Sequence, residues 1–111
     1  MHMGNMAITA SMKCKNYVHI MFNNGAHDSV GGQPTVGLKI DFCAIAQAVG
    51  YKAAYSVETM EALEAKLAEF KNAEGPVFLQ ICVKKGNRKD LGRPTTTPIQ
   101  NKEAFMEFLN K

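Results

Sequence analysis

Val77-Phe78-Leu79-Gln80-Ile81-Cys82-Val83 is a nearly continuous apolar run rich in β-forming residues, opened by Pro76 and followed by the polar stretch that begins at Lys84. Strict alternation would describe a strand with one wet face, whereas a continuous run describes a strand covered on both faces, the usual condition in a parallel sheet. Parallel strands need crossover connections, so helices are expected on either side of this segment.

Working outward, the residues supply those helices. Upstream, Thr59 can cap a helix in which Met60, Leu63, Leu67 and Phe70 form one apolar stripe while Glu61, Glu64, Lys66, Glu69 and Lys71 face solvent; Asn72 to Gly75 ends it. A short strand is predicted around Ala53 to Ser56. Before it, Asp41 is an N-cap for Phe42 to Val49, with Phe42, Ile45, Ala46 and Val49 at helical spacing and Gly50 as the stop. Tyr17-Val18-His19-Ile20-Met21-Phe22 is predicted to be a buried strand that halts at the turn Asn23-Asn24-Gly25. Met3, Met6, Ala7, Ile8, Ala10 and Met12 suit a short helix with no N-cap, as if the chain opened inside it. Downstream, Lys84 to Gln100 is polar and rich in Gly, Pro and Thr, and a terminal helix from about Asn101 is expected to dock through Phe105, Met106, Phe108 and Leu109. Strands and helices alternate, so the fold class is α/β, a parallel sheet layered with helices and joined by right-handed crossovers. Three strands make a thin sheet with an open edge, and the chain is expected to be a piece of a larger domain.

Length and composition agree. The 111 residues fit one domain, and 46% apolar with 21% charged residues is the balance of a globular chain with a real core. The net charge of +3 is modest, and its one cluster, Lys84 to Arg93, lacks the interleaved aromatics of a nucleic-acid surface. Cys14, Cys43 and Cys82 are odd in number and without C-x-x-C spacing, so buried, reduced thiols are expected, as in a cytoplasmic protein. No apolar run is long enough for a membrane span, and Met1 to Ser11 is not a secretory signal.

The segment from Gly25 to Ile40 carries Gly25, Gly31, Gly32, Pro34 and Gly37 without a hydrophobic period, so it is predicted to be an irregular loop of functional length. It leaves the carboxyl end of a parallel strand, where open α/β sheets bind ligands. An Asn side chain there can offer a neutral oxygen to Mg²⁺, and a turn on Gly25 can aim backbone groups at a metal and a diphosphate. Taken alone, Asn-Asn-Gly is also simply a good turn. His2 and His19 carry no such context and are predicted to be structural or solvated.

The strand-to-Asn23-Asn24 arrangement resembles the diphosphate-binding domain of thiamine diphosphate-dependent 2-oxo acid decarboxylases, whose motif runs from Gly-Asp-Gly through a helix and a strand to Asn-Asn. This chain has the helix, the strand and the two asparagines but no Gly-Asp-Gly; at family spacing that element falls just before Met1, so a C-terminal part of the domain is expected. Within the family, Asn24 to Thr35 (Asn-Gly-Ala-His-Asp-Ser-Val-Gly-Gly-Gln-Pro-Thr) and Arg88 to Pro98 look like the corresponding segments of phosphonopyruvate decarboxylases, although sulfopyruvate decarboxylases share much of each.

That resemblance implies the following. The fold is a three-layer thiamine diphosphate-binding fold. The Asn24 side chain and the Ala26 carbonyl are Mg²⁺ ligands; Gly25, Ala26 and His27 line the diphosphate; Ser29 and Val30 lie near the reactive ring. Arg88 and Arg93 are further substrate-pocket candidates, because guanidinium forks suit a phosphonate, while a solvated basic loop is the plain alternative. The roles of the His27 and Asp28 side chains stay open. The reaction implied is decarboxylation of phosphonopyruvate to phosphonoacetaldehyde, with thiamine diphosphate and Mg²⁺ as cofactors. The activating Glu would come from a pyrimidine-binding domain of the same or a neighbouring subunit of a homo-oligomer, so no catalytic residue is assigned here and the chain alone is expected to be inactive. The competing reading is a noncatalytic α/β module that binds an anion at Asn24 and a partner through the basic loop.

Overall fold

The computed structural model describes residues 2–111. Helix α1 (Asn5–Ser11) leads into β1 (Val18–Asn23), a short hairpin of β2 (Ala26–His27) and β3 (Gln33–Pro34), α2 (Phe42–Val49), β4 (Ala53–Val57), α3 (Met60–Phe70), β5 (Val77–Cys82) and α4 (Pro98–Leu109). β1, β5 and β4 form a parallel sheet in that order, with Val18 opposite Val77 on one side of β5 and Ala53 opposite Val77 on the other. The continuous apolar run is therefore the central strand.

Because side chains alternate along a strand, β5 feeds two cores at once. Phe78 joins Met6, Ala10, Ala46 and Tyr51 beneath α1 and α2, while Val77, Leu79 and Ile81 join Val57 and Phe70 beneath α3. Helices thus cover both sides of the sheet, the three layers expected from the sequence. The caps hold as predicted: Asp41 accepts from the Ala44 N–H at 2.9 Å, Thr59 from the Ala62 N–H at 3.2 Å, and Gly50 ends α2 at φ 107°. α1 begins at Gly4 without a side-chain cap.

Four expectations need correction. β1 is not buried on both faces: His19, Met21 and Asn23 turn toward the α1/α2 layer, but Val18, Ile20 and Phe22 are exposed, Phe22 to 71%. The apolar run is as dense as that of β5, but α3 packs over β4 and β5 and leaves the outer face of β1 open. α4 does not dock. It starts earlier than predicted, at Pro98, because Thr97 and Gln100 build a capping box, and Phe105, Met106, Phe108 and Leu109 are all exposed. In α3 the stripe narrows to Leu63 and Phe70, joined by Ala62, while Met60 and Leu67 are exposed. The thiols are free as expected but not buried, since Cys14 is exposed and Cys43 and Cys82 are half-buried. Among the described residues no helix is long and apolar enough to cross a membrane.

His19 is structural. Its Nδ1 lies 2.9 Å from the Tyr51 hydroxyl and its ring meets Phe78 edge-on, with centroids 5.2 Å apart. Burial holds its imidazole below the ordinary value of 6.5. As pH falls past that value the unfolded chain takes up the proton first, so folded stability is expected to drop through the window below it; above it the ring is neutral in both states. Thermal melts from about pH 7 to about pH 5 should show a falling Tm, and His19→Gln should flatten that slope, because the half-buried His19 ring is held low by desolvation.

Candidate cofactor site

β1 delivers two asparagines to its carboxyl end, and successive residues on a strand point opposite ways. Asn23 turns inward: at 7% exposure its Nδ2 donates to the Gly37 carbonyl at 2.9 Å and its Oδ1 accepts from the Gly25 N–H at 3.0 Å. Asn24 turns outward, half-buried, with its Oδ1 accepting from the Ala26 N–H at 3.0 Å and its Nδ2 donating to Asp28 Oδ2 at 2.8 Å. The first asparagine braces the turn, and both border the cleft.

The segment after the turn is more ordered than predicted. β2 and β3 pair antiparallel, and 3-10 turns cover Asp28–Val30 and Gly37–Lys39. Gly25 sits at φ +68°, and a Cβ there would come within 2.6 Å of Leu38 Cδ1, so glycine is the residue that this bend accommodates. Asn24, Gly25, Ala26 and His27 line a cleft of about 650 Å³ together with Asn23, Thr35 and Phe42.

The donors in that cleft are hard and neutral. The Gly25 carbonyl accepts from the Thr35 N–H at 2.8 Å and the His27 carbonyl from the Gly32 N–H at 2.9 Å. Ala26 between them sits at a non-hydrogen-bonded position of the antiparallel pair, so its carbonyl points away from β3 and takes no donor from the hairpin. Asn24 Oδ1 accepts one hydrogen bond in the hairpin and keeps capacity for a second partner. Two amide-type oxygens fit a hard cation such as Mg²⁺, which completes its shell with phosphate oxygens, water and a carboxylate. Among the described residues no group of three His, Cys, Asp or Glu could hold a metal.

The substrate candidates lie elsewhere. Ser29 and Val30 are exposed in the 3-10 turn, and neither lines the cleft. Arg88 and Arg93 belong to the exposed segment after β5, where Arg88 Nε sits 3.5 Å from Asp90 Oδ1. Burial pushes the Cys43 thiol up, and the Asp41 carboxylate adds to the shift, which makes this cysteine a poor nucleophile.

Residues 1–81 match the family described as thiamine pyrophosphate enzyme, C-terminal TPP binding domain. The chain belongs to this family. Proteins similar to it include a phosphonopyruvate decarboxylase of Streptomyces viridochromogenes, 33% identical over 109 residues, which cover 98% of this chain and 28% of that protein. A phosphonopyruvate decarboxylase of Streptomyces hygroscopicus is 34% identical over 108 residues, covering 97% of this chain and 27% of the relative. The chain thus spans little more than a quarter of the curated relatives it matches, and the family match ends within β5, before the basic segment.

Sequence reasoning singled out Asn24 but missed Asn23 as the buried brace of the turn. It also missed Asp28 as the partner of Asn24, for which the sequence carries no signal.

Proposed function

We propose that this chain is the C-terminal part of the diphosphate-binding domain of a thiamine diphosphate- and Mg²⁺-dependent decarboxylase acting on phosphonopyruvate. The observation that carries this reading is the cleft at the end of β1, which Asn24 and Ala26, two residues apart, line together with Gly25 and His27. Similarity over nearly the whole chain to two phosphonopyruvate decarboxylases supports the substrate.

In this reading the Asn24 side chain and the Ala26 carbonyl would hold Mg²⁺, and Gly25, Ala26 and His27 would border the diphosphate. When bound, thiamine diphosphate supplies the electron sink that lets a 2-oxo acid lose CO₂. Phosphonopyruvate would lose CO₂ and gain a proton, giving phosphonoacetaldehyde. The chain's own contribution would be to fix the cofactor in place, with Phe42 and Met21 supplying apolar lining to the cleft. Ser29 and Val30 would border the substrate once the rest of the pocket is assembled, and the noncatalytic reading would leave all these groups without a cofactor.

Calorimetry of the full-length gene product with thiamine diphosphate and Mg²⁺ tests the proposal: Mg²⁺-dependent binding is expected, and no heat of binding would favour the noncatalytic module. A panel with phosphonopyruvate and sulfopyruvate then separates the two substrates. The 111-residue chain by itself is expected to show no turnover with phosphonopyruvate; measurable CO₂ release from it would refute the fragment reading.

Arg93 supplies a further prediction. If the basic segment closes over the phosphonate, Arg93→Ala in the full-length enzyme should raise KM by about 10-fold or more at little cost to kcat, the size expected for one lost charge-assisted hydrogen bond used equally in ground and transition states. An unchanged KM would return the segment to solvent.

A further inference from the structure

Two hydrogen bonds join the cleft loop to the segment that follows β5, more than fifty residues away in sequence. The Gly86 N–H donates to Asp28 Oδ2 at 2.9 Å, and Lys85 Nζ donates to the Gly32 carbonyl at 2.7 Å. The same Asp28 oxygen accepts from Asn24 Nδ2 at 2.8 Å. One carboxylate oxygen therefore serves the asparagine at the cleft and the first residues of the basic segment together.

The direction of these bonds matters. A carboxylate can only accept, so it requires the NH₂ end of the Asn24 amide, and the Ala26 N–H can only donate, so it requires the oxygen end. Between them the amide is fixed with Oδ1 away from Asp28. Gly32 completes the junction: it sits at φ +71°, a left-handed conformation that favours glycine, and a Cβ there would lie 2.5 Å from Lys85 Nζ and oblige the lysine to shift.

We propose that Asp28 is a positioning residue that latches the basic segment to the cleft and holds the Asn24 amide with its oxygen presented for a ligand. The latch makes order in residues 84–90 depend on the same group that orients Asn24, so the segment carrying Arg88 is anchored where the cleft loop is set. The latch itself is independent of any cofactor, whereas its effect on metal affinity rests on the proposed function.

The test uses ¹⁵N-labelled 111-residue chain, small enough at 12.2 kDa for residue-level spectra, in wild-type, Asp28→Ala and Asp28→Asn forms. In wild type the Gly86 amide should show a heteronuclear NOE near that of the sheet, and the Asn24 side-chain NH₂ should resonate apart from free amides. Asp28→Ala should lower the Gly86 NOE to that of a free loop and move the Asn24 NH₂ to the free position. Asp28→Asn should restore both, because a single amide oxygen can take the place of Oδ2 toward both donors. Thermal midpoints recorded in parallel separate a latch from a general loss of fold, since the latch predicts loss at Gly86 and Asn24 while the sheet amides stay unchanged. In full-length protein that binds thiamine diphosphate, Asp28→Ala should weaken Mg²⁺-dependent binding by about 10-fold, the lower end for loss of a group that orients a metal ligand. An unchanged Gly86 NOE in Asp28→Ala, or failure of Asp28→Asn to restore it, overturns the latch. Loss of order at Gly86 in a protein that binds no cofactor upholds the latch and refutes the cofactor reading instead.

Discussion

Asn24→Ala is expected to weaken Mg²⁺-dependent binding of thiamine diphosphate by about 100-fold or more, beyond the effect of losing a group that merely orients a ligand. The substitution removes the amide oxygen offered to the metal and leaves both the Ala26 N–H and the Asp28 carboxylate short of a partner. Asn24→Asp should not rescue it, even though a carboxylate is a good Mg²⁺ ligand. It would place a second negative oxygen against Asp28 Oδ2, where the amide now sits at 2.8 Å, and like charges at that separation resist ionising together. The fold should survive either change, because the buried brace of the turn is Asn23. Asn23→Ala, by contrast, should lower stability by about 1–3 kcal/mol, the cost of leaving polar groups unsatisfied, here the half-buried Gly37 carbonyl and Gly25 N–H. Calorimetry on the full-length protein beside urea melts of the chain separates the pair. Undiminished binding in Asn24→Ala would remove the metal role, and a collapse of stability there would mean that Asn24, like Asn23, serves only the fold.

The sequence carried the sheet further than it carried the surfaces. Asp41, Gly50 and Thr59 act through their own backbone neighbours, so their capping roles were legible residue by residue. The central position of β5 was legible too, because burial on both faces leaves no polar alternation. Tyr17 to Phe22 gave the same pattern and a different outcome, for a run of apolar residues records what a strand can bury and not what happens to cover it. The same holds for α4, whose Phe105 and Phe108 suggested docking although nothing among the described residues receives them. At the site, Asn24, Gly25, Ala26 and His27 were legible as a group because they follow one strand end. Asp28 was not, since its partner Gly86 is joined to it by chain folding alone.

Phe78→Ala should be the most damaging single core substitution. Phe78 is 0% exposed, lies on the central strand, and packs edge-on against His19 at 5.2 Å and Tyr51 at 6.0 Å beneath α1 and α2. Emptying that volume costs about 3–5 kcal/mol by lost transfer energy and the cavity left behind, a large share of the roughly 5–15 kcal/mol that holds a domain folded. The urea midpoint of the chain should fall accordingly, with the near-UV signal of Tyr51 lost first as its aromatic neighbour goes. Phe22→Ala is the matched control, the same side chain removed one strand over at 71% exposure, where a change within about 0.5 kcal/mol is expected. If the two cost the same, the outer face of β1 is covered in solution and the uneven layering of the sheet is wrong. If Phe78→Ala is tolerated, β5 is not the strand on which both layers rest.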